Sequence, residues 1–183
     1  MKNQIGSFVI ADPNKCTGCR SCELACFATH NEENNIRYTV GTVEIPVIPR
    51  LYLVKDEKFY MPIQCRQCEH APCLNTCPVN AIKKENNVMI VNEEKCIGCK
   101  TCLVACPFGA IDLLPQYKDG EEVEQAALKE SNKVAYKCDL CKDKEKIACV
   151  NACPQQALKL VTPMDDKKAK NKKAAASLLM ANK

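Results

Sequence analysis

Short apolar runs separated by polar, cysteine-bearing stretches set the rhythm of this chain. GSFVIAD at 6–12 and NVMIVN at 87–92 each read as one short strand. TVEIPVIPRLYLV at 42–54 reads as extended segments interrupted by Pro46 and Pro49. AIKKENNVMIV at 81–91 predicts a hairpin turning at Asn86 and Asn87, a residue type that tolerates positive φ. Cys22 and Cys26 stand four positions apart, as do Cys102 and Cys106, and this spacing predicts the start of a short helix at each pair. Pro78, Pro107 and Pro154 redirect the chain just behind a cysteine. Phe27 holds that place in the first group, so its helix is expected to run on through ATHNEEN before the Asn pair at 34 and 35.

Two stretches are polar throughout. PQYKDGEEVEQAALKESNKVAYK at 115–137 is expected to be a solvated surface insertion, partly helical from Glu121 to Glu130. The tail begins with helix-start signals: Thr162 as N-cap, Pro163 at the first helical position and Asp165 at the third. It continues in strong helix formers without Gly or Pro. Its apolar residues Leu178, Leu179 and Met180 come only near the end, so this helix has little to bury on its own domain. It is either frayed or docked on another chain. No segment approaches the roughly 20 apolar residues needed to span a bilayer.

Composition sharpens the picture. A chain of 183 residues suits one compact domain or two small modules folded into each other. Aromatic residues make up 5%, Trp is absent and Cys reaches 16, so something other than large rings must fill the core. The start, MKNQIGSFVIADPNKC, has no basic region leading into an apolar run and no twin Arg. A cytoplasmic location is therefore expected, where thiols stay reduced and clustered cysteines bind metal. The formal charge of +4 and pI near 8.3 would suit a nucleic-acid partner, but that count treats every thiol as neutral.

Every cysteine falls into one of four quartets: Cys16, Cys19, Cys22, Cys26; Cys65, Cys68, Cys73, Cys77; Cys96, Cys99, Cys102, Cys106; and Cys138, Cys141, Cys149, Cys153. Disulfide frameworks spread their thiols to close long loops, whereas each quartet here fits within 16 residues and begins CxxC. The surrounding residues repeat too. KCTGCRSCELAC at 15–26 matches KCIGCKTCLVAC at 95–106, and CPVNAI at 77–82, CPFGAI at 106–111 and CPQQAL at 153–158 share a second pattern. One supersecondary unit has been used several times.

Zinc would be crowded by a third Cys three residues after the second and a fourth just beyond. The run CxxCxxCxxxCP is instead the bacterial ferredoxin signature. Three closely spaced thiolates reach three corners of an iron-sulfur cubane, and the fourth corner comes from elsewhere in the chain. The fold class expected is α+β, two ferredoxin-like modules with loop insertions.

On FVIADPNKCTGCRSCELAC, CRQCEHAPCLNTCPVNAI, CIGCKTCLVACPFGAI and KCDLC followed by ACVNACPQQAL, the chain resembles the four-cluster ferredoxin subunits of molybdenum and tungsten enzyme complexes. Within these it is most similar to the electron-transfer subunits of formate hydrogenlyase and of formate dehydrogenase-hydrogenase complexes of the hydrogen-dependent CO2 reductase kind. The resemblance covers about residues 6–162. It implies crossed ligation of four [4Fe-4S] clusters: Cys16, Cys19, Cys22 with Cys153; Cys138, Cys141, Cys149 with Cys26; Cys65, Cys68, Cys73 with Cys106; and Cys96, Cys99, Cys102 with Cys77. It also implies nesting, with an outer module from 1–64 and 112–162 and an inner module at 65–111; beyond it lies the tail at 163–183, which its own residues mark as helical and as a candidate assembly element. Sixteen thiolates and four oxidised cores would bring the net charge to about −4.

Four complete quartets leave no iron open for substrate, and His30 and His70 form no nucleophile-base pair with a neighbour. The expectation is a non-catalytic electron-transfer subunit. A row of clusters divides one impossible tunnelling distance into several short ones. The partners expected are a formate dehydrogenase and a hydrogenase, with further ferredoxin-like subunits or copies of the chain joined through the tail. The alternatives are the same relay serving another molybdenum enzyme, carbon monoxide dehydrogenase or a ferredoxin-linked oxidoreductase, and, in a different class, a zinc-binding nucleic-acid module. Gly18, Gly98 and Gly109 read either as points of close backbone approach to sulfur or as plain turn residues. Lys15, Lys95 and Lys137 each precede a quartet and either raise a potential or solubilise the surface. His70, between Cys68 and Cys73, carries more interest than His30, with a solvated loop role the plainer reading for both.

Overall fold

A computed structural model describes residues 6–31, 45–118, 121–125, 130–131 and 133–181. The strand expected at 6–12 is β1 (Phe8–Ala11), and it pairs antiparallel with the last strand, β12 (Leu158–Val161), in the register Phe8↔Val161 through Ala11↔Leu158. The two ends of the cysteine-bearing region thereby close on each other. Helix α1 (Ser21–Asn31) follows the first three cysteines and runs past Cys26, as Phe27 in place of Pro allows. The remainder of ATHNEEN lies outside the described residues.

Among its described residues, the 42–54 stretch forms regular structure at its end, where β2 (Tyr52–Lys55) makes a hairpin with β3 (Tyr60–Ile63). Its residues 42–44 lie outside the described residues. After the short helix α2 (Pro72–Asn75), β4 (Ile82–Glu85) and β5 (Val88–Val91) form the expected second hairpin, with Asn86 and Asn87 at φ 49° and 65°. Two adjacent residues with positive φ are what a two-residue hairpin loop requires. Helix α3 (Thr101–Ala105) ends one residue before Cys106. Strand β6 (Asp112–Pro115) pairs with β11 (Lys133–Tyr136), and Val134, opposite Leu114, is fully buried.

Between β6 and β11 the expected partial helix from Glu121 to Glu130 is not formed at the described positions. The chain makes two-residue strands instead: β7 (Tyr117–Lys118) with β8 (Glu121–Glu122), and β9 (Glu124–Gln125) with β10 (Glu130–Ser131). A helix would stack Glu121 on Glu124, a like-charge pair, whereas the extended chain places Val123 N–H on the Gln116 carbonyl at 2.8 Å. Helix α4 (Ala148–Ala152) packs on α1, and α5 (Pro163–Ala181) forms the tail. Thr162 Oγ1 accepts the Asp165 N–H at 3.2 Å, while the Asp165 carboxylate takes the Thr162 hydroxyl at 2.7 Å and its N–H at 3.4 Å, the reciprocal box that starts such a helix.

No described ladder is wider than two strands, so no sheet supplies a broad apolar face. Two small cores result. One gathers Val9, Cys22, Cys26, Leu51, Cys149 and Leu158. The other gathers Cys73, Ile82, Met89, Cys102, Ile111 and Ala135. Arg66 lies over the rings of Phe8 and Phe108, at 5.2 and 5.9 Å from their centres, and links the two halves. Cysteines occupy both cores where a protein of this size would ordinarily place Leu and Phe.

Candidate metal centres

All four CxxC loops share one backbone device. The residue before the second cysteine has positive φ in each: Gly18 at 72°, Gln67 at 50°, Gly98 at 65° and Leu140 at 58°. A left-handed residue there curls successive N–H groups toward one centre, the concavity that binds anions. Gln67 N–H donates to Cys65 Sγ and Leu140 N–H to Cys138 Sγ, both at 3.4 Å. For non-glycine residues this conformation costs about 1–2 kcal/mol each, so the shape of the loop overrides local preference. At Gly98 no other residue fits, because a Cβ would stand 2.5 Å from the Lys133 carbonyl oxygen. At Gly18 it would stand 2.7 Å from the Tyr60 ring. What excludes a side chain at these glycines is thus a carbonyl at one and a ring at the other.

The shared CP endings make a second device. Asn80, Gly109 and Gln156, at φ 51°, 57° and 49°, turn the next N–H back on the cysteine. Ala81, Ala110 and Ala157 then donate to Cys77, Cys106 and Cys153 Sγ at 3.2, 3.4 and 3.3 Å. The Ala is explained by burial: these three are 1%, 1% and 3% exposed.

The structure brings together cysteines distant in sequence. Cys16, Cys19, Cys22 and Cys153 ring one cavity of about 340 Å3, counting its open mouth, walled by Leu53 and Leu158. Cys65, Cys68, Cys73 and Cys106 ring a second of about 320 Å3, beside Met89 and Ile111. Cys77, Cys96, Cys99 and Cys102 ring a third of about 310 Å3, beside Ile82 and Leu113. The three are alike in lining, each with four cysteines, so one kind of group would suit them all. Cys26, Cys138, Cys141 and Cys149 are all buried, and Cys26 is near enough to act electrostatically on each of the other three.

Burial pushes the thiols of Cys22, Cys73 and Cys141 up to about 11 and that of Cys149 to about 12, and it raises Cys138 well above the ordinary value. Cys19 and Cys99 lie at the surface and are shifted down, chiefly by hydrogen bonds to Ser21 and Thr101 at 3.4 and 3.2 Å. Thiols raised in this way stay neutral at ordinary pH and become thiolates only against a positive core. Among the described residues, no three His, Cys, Asp or Glu side chains are arranged to grip a single ion. Hollows ringed by four soft sulfur donors drawn from two quartets, with N–H groups aimed at those sulfurs, fit an iron-sulfur core better than a lone tetrahedral zinc.

The two histidines exchange the weights that the sequence suggests. His70 is exposed. His30 is set against Cys26, with Nδ1 2.7 Å from the Cys26 carbonyl and 3.7 Å from its Sγ, and Nε2 2.9 Å from Asp139 Oδ1. Arg50 Nη1 grips the other Asp139 oxygen at 2.6 Å, and Nη2 reaches Glu93 at 3.3 Å. Burial alone would depress His30, but the bonds to Asp139 and Cys26 raise it to about 9; burial opposes the Asp139 charge, yet His30 and Arg50 hold its carboxyl down at about 2. The available clue was positional: His30 follows Cys26 by four residues, as Ala81 follows Cys77. The three lysines also separate. Lys15 and Lys95 are exposed, while Lys137 is only 2% exposed.

Comparison with known proteins agrees with this chemistry. The 4Fe-4S dicluster domain matches residues 88–154 and again residues 64–110, and a 4Fe-4S binding domain matches residues 13–26. The putative electron transport protein YsaA of Escherichia coli K12 is 41% identical over 82% of this chain and 87% of its own length. The electron transport protein HydN of the same strain is 40% identical over 82% and 85%. Hydrogenase-4 component A, also of that strain, is 42% identical over 85% and 82%. A chain of the active site complex BamBC of benzoyl coenzyme A reductase overlays more loosely, with a TM-score of 0.39 at 18% identity, covering 95% of this chain and 89% of that one. With repeated cysteine loops, sulfur-lined hollows and relatives of this length and similarity, the chain belongs to the family of ferredoxin-type 4Fe-4S electron-transport proteins.

Proposed function

We propose that the chain is a one-electron relay subunit with four [4Fe-4S] clusters that serves between a formate dehydrogenase and a hydrogenase, without catalytic chemistry of its own. Cys16, Cys19, Cys22 and Cys153 would hold one cluster; Cys26, Cys138, Cys141 and Cys149 a second; Cys65, Cys68, Cys73 and Cys106 a third; Cys77, Cys96, Cys99 and Cys102 a fourth. The observation that carries this reading is the three similar cavities, each ringed by three cysteines of one quartet and the last cysteine of another. Each cluster, when bound, takes up and gives up a single electron.

The remaining work is done by residues of the chain. Backbone N–H groups from Gln67, Ala81, Ala110, Leu140 and Ala157 donate to ligand sulfurs and favour their negative charge. Leu53, Leu158, Met89 and Leu113 give the cavities apolar walls. Shared cores keep the sets adjacent: Cys22 lies with Cys26 and Cys149, and Cys73 with Cys102. The same two cores support an outer module from 1–64 and 112–162 around an inner module at 65–111.

For the partners, the support is the likeness to hydrogenase-4 component A and the motif resemblance to formate-linked subunits. No described helix is long and apolar enough to cross a membrane, and we assign the chain to the cytoplasm with its α5 tail available for assembly. Anaerobic purification tests the reading. About 16 iron and 16 acid-labile sulfide per chain are expected from four four-iron clusters. One zinc per quartet with negligible sulfide would overturn it. Identification of co-purifying chains decides the partner: a carbon monoxide dehydrogenase or another oxidoreductase in place of a hydrogenase would replace the partners and leave the relay.

A further inference from the structure

Three quartets satisfy their last cysteine in one way, through the N–H of an Ala four residues on. Cys26 cannot use that device. Phe27 replaces the Pro, α1 continues to Asn31, and the helix commits the backbone N–H of residue 30 to its own ladder. The residue four positions on is His30, and its side chain, not its backbone, meets the sulfur.

The ring cannot choose another orientation. Nδ1 faces the Cys26 carbonyl at 2.7 Å and the Sγ at 3.7 Å, both acceptors, so Nδ1 carries one proton shared between them, with the carbonyl the nearer acceptor. Nε2 faces the Asp139 carboxylate at 2.9 Å and donates there. Asp139 is fixed in turn by Arg50 Nη1 at 2.6 Å and by the Cys141 N–H at 3.1 Å, within the loop that presents Cys138 and Cys141. The Arg50 backbone N–H then donates to Cys26 Sγ at 3.3 Å. Cys26 Sγ thus receives the Arg50 N–H and a share of the His30 Nδ1–H, where Cys77, Cys106 and Cys153 each receive the Ala N–H.

We propose that His30 is a positioning residue that sets the reduction potential of the cluster bound through Cys26 above the value its loops alone would give. Reduction adds negative charge that spreads onto the sulfurs, and a donor aimed at a ligand sulfur favours the reduced form. Asp139 and Arg50 hold the donor in place. The proposal rests on Cys26 being a cluster ligand.

Potentiometric titration followed by electron paramagnetic resonance, on the anaerobically purified, iron-loaded full chain, tests it. His30→Ala is expected to keep the iron content, to move one step of the titration to more negative potential and to leave the others where they were. His30→Gln, which keeps an N–H donor of similar reach, is expected to recover most of that shift. Unchanged potentials in a fully loaded His30→Ala would overturn the proposal. Equal loss of one cluster from both variants would also overturn it, since His30 would then be only a structural prop. Cys26→Ala separates the proposal from its premise: unchanged iron and spectrum there would overturn the ligand assignment, and with it the role given to His30.

Discussion

Lys137 shows what one side chain contributes beyond its sequence context. Its ammonium donates to the Met89 carbonyl at 2.5 Å and the Cys138 carbonyl at 3.0 Å, tying the β4–β5 hairpin to the fourth quartet. Gln67 reinforces the tie, donating to the same Cys138 carbonyl at 2.9 Å and accepting the Met89 N–H at 2.7 Å. Both acceptors of Lys137 are neutral, and a cation at 2% exposure requires compensating negative charge. Burial pushes Cys68 and Cys73 up, and the Lys137 charge works against that burial at both, so this lysine is already placed to favour their thiolates. Lys137→Met keeps the bulk and removes the charge. It should remove the donor from the buried Met89 carbonyl, at about 1–3 kcal/mol, while Gln67 still serves the Cys138 carbonyl, and shift the potential of the neighbouring cluster to more negative values. Iron analysis and a redox titration check both effects, and unchanged potentials with full iron would assign Lys137 to packing alone.

The elements are short, and turn geometry rather than periodicity decides them. Gly98 and Gly109 make the point testable, since both have positive φ but different surroundings. A Cβ at Gly109 meets nothing within 4 Å, whereas at Gly98 it would press on the Lys133 carbonyl of β11. Gly109→Ala should therefore cost only the left-handed conformation, about 1–2 kcal/mol, and Gly98→Ala clearly more, because β11 would have to shift against β6. The half-time of cluster loss on warming with a chelator, compared between the two iron-loaded variants, would show the order. Local signals were legible in the sequence: the four quartets, β1, the Asn86–Asn87 hairpin and the Thr162–Asp165 box each depend on a few adjacent residues. Signals that depend on distant packing were not. His30 meets Asp139 across 109 positions, Lys137 is buried by a hairpin that begins at Ile82, and the strands that replace a helix near Glu121 are set by Gln116 and Tyr117.

At the scale of the whole molecule, α5 stands apart from everything else. Its 19 residues reach about 28 Å at the usual helical rise. From Lys167 to Met180 every residue is exposed, and Leu178, Leu179 and Met180 stay open at 67%, 72% and 78%. An isolated helix of this length is marginal in water, and here the capping box at one end and the Asp166–Lys170 pair at 2.7 Å are local supports only. The helix is therefore either frayed or held by another chain, and the three apolar residues at the far end are where such a contact would bury most surface. A helix that projects from a relay subunit can join successive subunits and so extend the path for electrons. Truncation after Thr162 removes no cysteine, so iron, sulfide and colour should be unchanged while the assembly with its partners becomes smaller. Anaerobic light scattering and negative-stain microscopy of the full and truncated chains, with partners present, measure this directly. Unchanged assembly size and unchanged electron transfer would reduce α5 to a solubilising end. A smaller assembly whose isolated subunits still carry full iron would make it the joint.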